Sequence, residues 1–294
     1  VEKINHISLK KYTNLVSPTE FNCDNFGMSN TENPNTIAFA DADRFIEAIN
    51  NNVNITVVIC TNDLADKIKN KLVILSEDAR YYYYTFLNGL VESNYVKKKS
   101  QISPSAIIHP TAYVSEYNVV IGQNAYIGPN ANILADTEIG NNVYIKAGAV
   151  IGSEGFELKR TSKGILNVLH DGKVIVGDNV KIGANTAIHK GFSFRHTIIS
   201  DNVKIDDLVY IAHGVHIGEG CFLIGNSMIS GGTTLKENVW VGPGVTVSNG
   251  LIIEKNAYLT IGSVVTQNVA HNEKVTGNFA IPHGKFIKNL KESI

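Results

Sequence analysis

Residues 199–265 read ISDNVKIDDLVYIAHGVHIGEGCFLIGNSMISGGTTLKENVWVGPGVTVSNGLIIEKNAYLTIGSVV. Every sixth residue is aliphatic: Ile199, Ile205, Ile211, Ile217, Leu223, Ile229, Leu235, Val241, Val247, Ile253, Leu259 and Val265. A period of six fits neither a half-buried strand nor an amphipathic helix. It is the signature of a parallel β-helix, in which three hexads close one triangular coil with a short strand on each side. The periodic aliphatic residue points inward, and so does the small or aliphatic residue four places on, as in Val203, Val215, Val239 and Ala257. The remaining positions face outward or turn a corner, where Gly218, Gly242 and Asn202 stand. Successive coils stack at the strand spacing of about 4.8 Å.

The same rhythm extends upstream. It begins at Ile102, continues at Ile108 and Val114, slips by one residue, and runs on through Ile121, Ile127, Ile133, Ile139, Ile145 and Ile151. Between Ser153 and Ile175 it stops, which predicts a loop ejected from a corner of the prism. Val176, Ile182 and Ile188 restore it, and a smaller excursion, Lys190 to His196, precedes the long run. The hexads add up to about eight coils. After Val265 the chain leaves the repeat through Gly277-Asn278-Phe279-Ala280-Ile281-Pro282 and ends in a short basic helix, Lys285 to Glu292, suited to covering an open end of the prism.

Residues 1–100 have a different character. Thr36 to Ala40, Ile55 to Cys60 and Leu72 to Leu75 read as strands. Ala42 to Asn50, Asp63 to Asn70 and Glu77 to Ser93 read as helices, and the alternation predicts a small α/β domain. Tyr81, Tyr82, Tyr83 and Tyr84 must point around more than one side of their helix, which favours structural roles over a base-stacking platform. The expected organisation is residues 1–100 α/β, 101–270 β-helix and 271–294 a tail with its short helix, mainly β overall. Net charge is −1, so no basic field points to nucleic acid or an anionic membrane. No apolar run approaches membrane-spanning length and no signal pattern opens the chain. Three widely spaced cysteines, Cys23, Cys60 and Cys221, fit buried thiols in a reducing, cytoplasmic setting.

Several stretches narrow the reading. Val150-Ile151-Gly152-Ser153-Glu154-Gly155-Phe156 leads into the ejected loop and His170-Asp171-Gly172 closes it. Val176 to Thr186, then Ile205-Asp206 and Ile211-Ala212-His213, follow in order. Together with Ile37-Ala38-Phe39 and Phe45, this succession resembles the UDP-3-O-acylglucosamine N-acyltransferase family over nearly the whole chain. The resemblance implies a left-handed β-helix that works as a homotrimer, with active sites in the clefts between neighbouring prisms. It also implies an N-terminal domain that binds the nucleotide, and acyl transfer from a thioester to an amino group on a nucleotide-linked sugar.

That chemistry needs a base for the ammonium proton, a free amine and donors for the tetrahedral oxyanion. His213 matches the family's base. The repeat supports it independently: two places after inward Ile211 it faces outward, and Gly231, eighteen residues on, leaves space over one side of its ring. Asp206 either orients that imidazole, holds a sugar hydroxyl or stands solvated at a corner. Backbone N–H groups at Gly225, Gly231 and Gly232 are candidates for the thioester oxygen, with tight corners as the alternative reason for glycine. Phe39 and Phe45 are the candidate clamp on the nucleotide base, with core burial as the competing reading. Lys285 and Lys288 are candidates for donor phosphates. His213 and His216 lack a third ligand at suitable spacing, so no metal is expected.

The chain departs from the family pattern at three places. The family's second histidine, about 37 residues beyond the first in a Gly-His pair, gives way to Asn249-Gly250, where Asn249 is placed to hydrogen-bond donor or acyl group. His189-Lys190-Gly191 replaces the usual Asp-Arg-Gly, and the C-terminal helical stretch that engages acyl carrier protein is short. These departures shift the expectation toward an acetyl or short 3-hydroxyacyl group, carried by coenzyme A and delivered to a nucleotide-linked amino deoxysugar. Lipid A N-acylation from acyl carrier protein is the first alternative, and a non-catalytic nucleotide-sugar-binding β-helix the second.

Overall fold

A computed structural model describes residues 2–277 and 280–292. From Gln101 onward the chain winds into a three-sided parallel β-helix. Its first face runs from Gln101–Ile102 to Ile252–Ile253, its second from Ile107–Ile108 to Lys274–Val275, and its third from Tyr113–Val114 to Val264–Val265. Ile199 pairs in register with Ile217, Ile217 with Leu235 and Leu235 with Ile253, so one coil is three hexads. From Ile121 to Val265 the periodic aliphatic residues are buried in one core along the axis together with Val203, Val215, Val239 and Ala257, whereas in the first coil Ile108 and Val114 are partly buried and Ile102 is exposed. Each interruption in the rhythm leaves the pairing intact: Ile102 pairs with Ile121 across the slip, Ile139 with Val176 across the ejected loop, and Val176 with Ile199 across the excursion. Inserted residues bulge outward because moving the register would drive every inward side chain into solvent.

Corners need backbone at positive φ. Along the edge between the first and second faces it is supplied mostly by asparagine, at Asn124, Asn142, Asn179 and Asn202, and Asn124 Nδ2 donates to Asn142 Oδ1 at 3.2 Å. Asparagine tolerates this region and its amide extends the ladder. The edge between the third and first faces is different: Gly214, Gly232 and Gly250 stand there at φ of 65°, 68° and 70°. At that corner position three consecutive coils carry no side chain.

The N-terminal region forms a four-stranded parallel sheet, Asn25–Phe26, Thr36–Ala40, Ile55–Cys60 and Leu72–Leu75 in that order. The long helix is Ala79–Asn94, capped by Asp78, whose carboxylate accepts the Tyr81 N–H at 2.9 Å. Tyr83 and Tyr84 are buried in the core, as a structural reading of the tyrosine run requires. Two elements differ from expectation. The helix expected over Asp63–Asn70 is one turn, Asn62–Ala65, and the chain reaches positive φ at Asn70 before the next strand. A helix at His6–Thr13, started by a capping box between Asn5 and Ser8, precedes the sheet.

The ejected loop is an antiparallel hairpin, Leu158–Thr161 with Gly164–Asn167, folded back onto the N-terminal domain. Asn88 grips its base, donating to the Asn167 carbonyl at 2.8 Å and accepting the Leu169 N–H at 2.9 Å. Asp78 accepts the Ser162 N–H at 2.6 Å near the tip. Val168 and Phe192, from the two interruptions of the prism, are buried in the N-terminal core. The hairpin thus joins the domains and overhangs the corner where His213 stands. Downstream, the helix is His283–Glu292; of the expected exit stretch, Asn278 and Phe279 lie outside the described residues.

Candidate functional site

His213 sits where the chain turns from the strand Tyr210–Ile211 of the third face to His216–Ile217 of the first. Its ring lies over Gly231 of the next coil. A Cβ at residue 231 would stand 2.4 Å from Cε1, 2.7 Å from Nε2 and 2.9 Å from Nδ1, so no other residue fits beneath the imidazole. Phe192 packs edge-on at 4.9 Å between ring centroids, and the His170 ring lies at 6.1 Å. Gly155 closes the opposite side: a Cβ there would meet His213 Cδ2 at 3.0 Å, His170 Nε2 at 3.3 Å and His189 Nδ1 at 3.4 Å. The ring is therefore held by the repeat below and by both interruptions around it.

The carboxylate at His213 is Glu157, from the strand of chain entering the hairpin. Its Oε2 lies 3.3 Å from His213 Nε2. Glu157 is 8% exposed, and its other oxygen pairs with Lys159, whose ammonium stands over the Tyr84 ring at 5.2 Å. The two groups are within ion-pair distance but no hydrogen bond joins them, so the contact does not set the tautomer. Nδ1 is enclosed with no hydrogen-bond partner among the described residues, which leaves Nε2 as the nitrogen that can meet a ligand. Burial, followed by the charges of Arg195, Lys159 and His189, lowers the His213 pKa to about 4. The carboxylate, itself engaged by Lys159, does not reverse this, so the imidazole is neutral at pH 7. His170 is likewise lowered to about 4, chiefly by burial, and its Nε2 accepts the Gly155 N–H at 3.1 Å.

The other expected site residues fall elsewhere. Asp206 is not beside His213: its Oδ2 accepts the Gly225 N–H at 3.2 Å, serving the corner between the second and third faces. Seven residues along a six-residue repeat carry the chain onto the next edge, which is why sequence proximity misled. Gly225 N–H is thereby occupied, and Gly232 N–H donates to the His213 carbonyl at 3.0 Å. Gly231 N–H has no partner among the described residues, which leaves it as the oxyanion-donor candidate. Asn249 is exposed two coils beyond His213 on the same edge. Phe39 packs on Tyr83 and Tyr84, with centroids at 4.8 and 5.6 Å, whereas Phe45 belongs to the core on the opposite face of the sheet. The pair therefore does not stand as a clamp. Lys285 is exposed and Lys288 faces Glu292 of its own helix at 3.9 Å; no ion pair or hydrogen bond joins either to the His213 corner. Among the described residues no cluster of three or more His, Cys, Asp or Glu side chains is placed to hold a metal ion.

Residues 118–153 and 196–231 match the family model of the bacterial transferase hexapeptide (six repeats), and residues 173–206 and 214–255 match that of the hexapeptide repeat of succinyl-transferase. These stretches carry hexapeptide repeats. Among curated relatives, a UDP-3-O-acylglucosamine N-acyltransferase of Rickettsia massiliae is 50% identical over 95 residues, which is 32% of this chain and 27% of that protein. One of Caulobacter vibrioides is 42% identical over 92 residues, 31% of this chain and 27% of the relative. The matches thus span about a quarter of these relatives' length. Among solved structures, a UDP-N-acetylglucosamine acyltransferase from Campylobacter jejuni superposes with a TM-score of 0.50 at 23% identity, covering 60% of this chain and 72% of that one. That likeness concerns the fold.

Proposed function

We propose that this protein is an N-acyltransferase that moves an acyl group from a thioester to the amino group of a nucleotide-linked sugar. The observation that carries the reading is a neutral imidazole, seated on Gly231 and beside the buried Glu157 carboxylate, on an edge whose corner position is glycine in three consecutive coils. His213 takes a proton from the sugar ammonium, and Glu157 stabilises the imidazolium that forms. The freed amine attacks the thioester carbonyl while Gly231 N–H donates to the developing oxyanion. As the tetrahedral intermediate collapses, the C–S bond breaks and the thiolate takes the proton held by the imidazolium, while the second proton lost by the nitrogen passes to solvent, leaving a neutral amide, a free thiol and a neutral imidazole.

The names of the curated relatives favour UDP-3-O-acylglucosamine as acceptor over the amino-deoxysugar reading, and acyl carrier protein is the donor that the family resemblance implies with it. A short acyl group on coenzyme A remains the second reading, favoured by one feature: the edge beyond His213 presents Asn249 and Gly250 rather than a second imidazole. Nucleotide binding by the N-terminal domain and assembly as a homotrimer belong to the same proposal. Size-exclusion with light scattering tests the latter, with three times the 32.0 kDa chain mass expected. For the chemistry, His213→Ala should lower thiol release about 10²- to 10⁴-fold. A folded His213→Ala protein retaining a third or more of wild-type kcat would remove His213 from the base role.

A further inference from the structure

The excursion at 190–196 carries an element that the transfer chemistry above does not use. Arg195 projects into a groove of about 460 Å³ between the N-terminal loop Gly27–Asn33 and the glycine edge of the prism. Its Nη1 lies 3.8 Å from where a Gly232 Cβ would stand, and its guanidinium stands over the buried Phe192 ring at 5.3 Å. Phe192 also packs on His213, and the Arg195 charge is among those felt at His213. The guanidinium makes neither an ion pair nor a side-chain hydrogen bond to any described residue. The one carboxylate lining the groove, Glu32, is exposed and unpaired with it.

The backbone beneath this cation is held firmly. Ser193 and Phe194 both lie at positive φ, 57° and 60°, which is unfavourable for a bulky residue such as phenylalanine. Half-buried Asp171 accepts the Phe194 N–H at 3.0 Å. Gly172 and Gly191 admit the Arg195 carbonyl, which a Cβ at either position would meet at 2.1 or 2.0 Å. A strained, clamped turn therefore presents a half-buried guanidinium, with its donors free, beside the proposed reacting centre. A partly desolvated cation of this kind lacks a counter-charge, and the planar fork suits a carboxylate or phosphate.

We propose that Arg195 binds an anionic oxygen group, carboxylate or phosphate, of the ligand that occupies the groove beside His213, and so determines which substrate is accepted. This rests on the acyl-transfer reading for its substrate. The anion has two sources: a phosphate of the nucleotide sugar or coenzyme, or a carboxylate at the far end of the acyl group.

Isothermal titration of the full chain and of Arg195→Met and Arg195→Lys separates them. The probes are UDP-N-acetylglucosamine, succinyl-CoA and butyryl-CoA, with circular dichroism and thermal melts to establish folding. Arg195→Met should weaken at least one probe about 10- to 100-fold, with partial retention in Arg195→Lys. Loss confined to the nucleotide sugar assigns its phosphates. Loss confined to succinyl-CoA assigns the acyl carboxylate, and equal loss on both thioesters assigns the coenzyme phosphates. Binding of all three probes by Arg195→Met within twofold of wild type, or no binding of any probe by wild type, overturns the proposal. Absence of thiol release with Arg195-dependent binding intact would instead reject the transfer reading alone.

Discussion

Gly231→Ala adds one methyl group at the point where the structure leaves none to spare. The new Cβ would lie 2.4 Å from His213 Cε1 and under 3 Å from both ring nitrogens. Ordinary carbon contacts begin near 3.4 Å, so the imidazole must move by about 1 Å. Phe192 and Gly155 hem the ring in, and the movement comes at the expense of the 3.3 Å approach to Glu157. The substitution leaves the backbone N–H of residue 231 in place and lies outside the prism core. Its structural cost is that of local overpacking, about 1–3 kcal/mol. A misplacement of about 1 Å in a reacting group is worth roughly 100-fold in rate. Gly155→Ala, whose Cβ would meet the same ring at 3.0 Å, should cost less, and Gly277→Ala, with nothing within 4 Å, should cost nothing. The assay is kcat for thiol release across the three variants, beside histidine NMR titration, which needs no substrate. Wild-type kcat and an unchanged His213 titration in folded Gly231→Ala would refute the seating of the imidazole on this glycine.

Other outcomes follow from the same geometry. Glu157→Gln should lower kcat about 10- to 100-fold, the value of a charge-assisted hydrogen bond to the imidazolium, with no loss of fold by circular dichroism. Asp206→Asn keeps an acceptor for the Gly225 N–H, so activity should stay within twofold of wild type, and a drop of tenfold or more would restore Asp206 to the chemistry. His170 and His213 are held neutral by burial, with pKa values near 4 against 6.5 when unfolded. The unfolded chain therefore binds more protons between those values, and stability present above pH 6.5 should be lost as pH falls toward 4. Thermal melts over that range should show a steeper fall for wild type than for His170→Gln/His213→Gln, and parallel curves would contradict the burial argument.

The prism was legible because its core repeats. Each inward aliphatic residue, from Ile121 to Val265, answers to one local rule, and an insertion shows itself as a break in the count. His213 and Gly231 were legible for the same reason, since eighteen residues is one coil and the pair stands on one edge. Glu157 and Arg195 were not, because both lie in the breaks, where no period says which way a side chain turns. Glu157 reaches His213 only because Asn88 and Asp78 hold the hairpin against the N-terminal domain, a long-range packing outcome that no spacing encodes. Asp206 misled through its closeness in sequence, although seven residues carry the chain to a different edge. Phe39 and Phe45 misled similarly: Phe39 projects from the strand toward the long helix, whereas Phe45 follows the strand in a turn that packs on the other face of the sheet.

The most direct test of the account is product analysis by mass spectrometry alongside thiol release. Wild type and His213→Ala would each be given UDP-3-O-acylglucosamine with an acyl carrier protein donor, and amino-deoxysugar nucleotides with acetyl- and 3-hydroxyacyl-CoA. Wild type should form one amide per thiol released with at least one pair, and His213→Ala should lose it. Thiol release without amide, or equal amide formation by both proteins, would contradict the account.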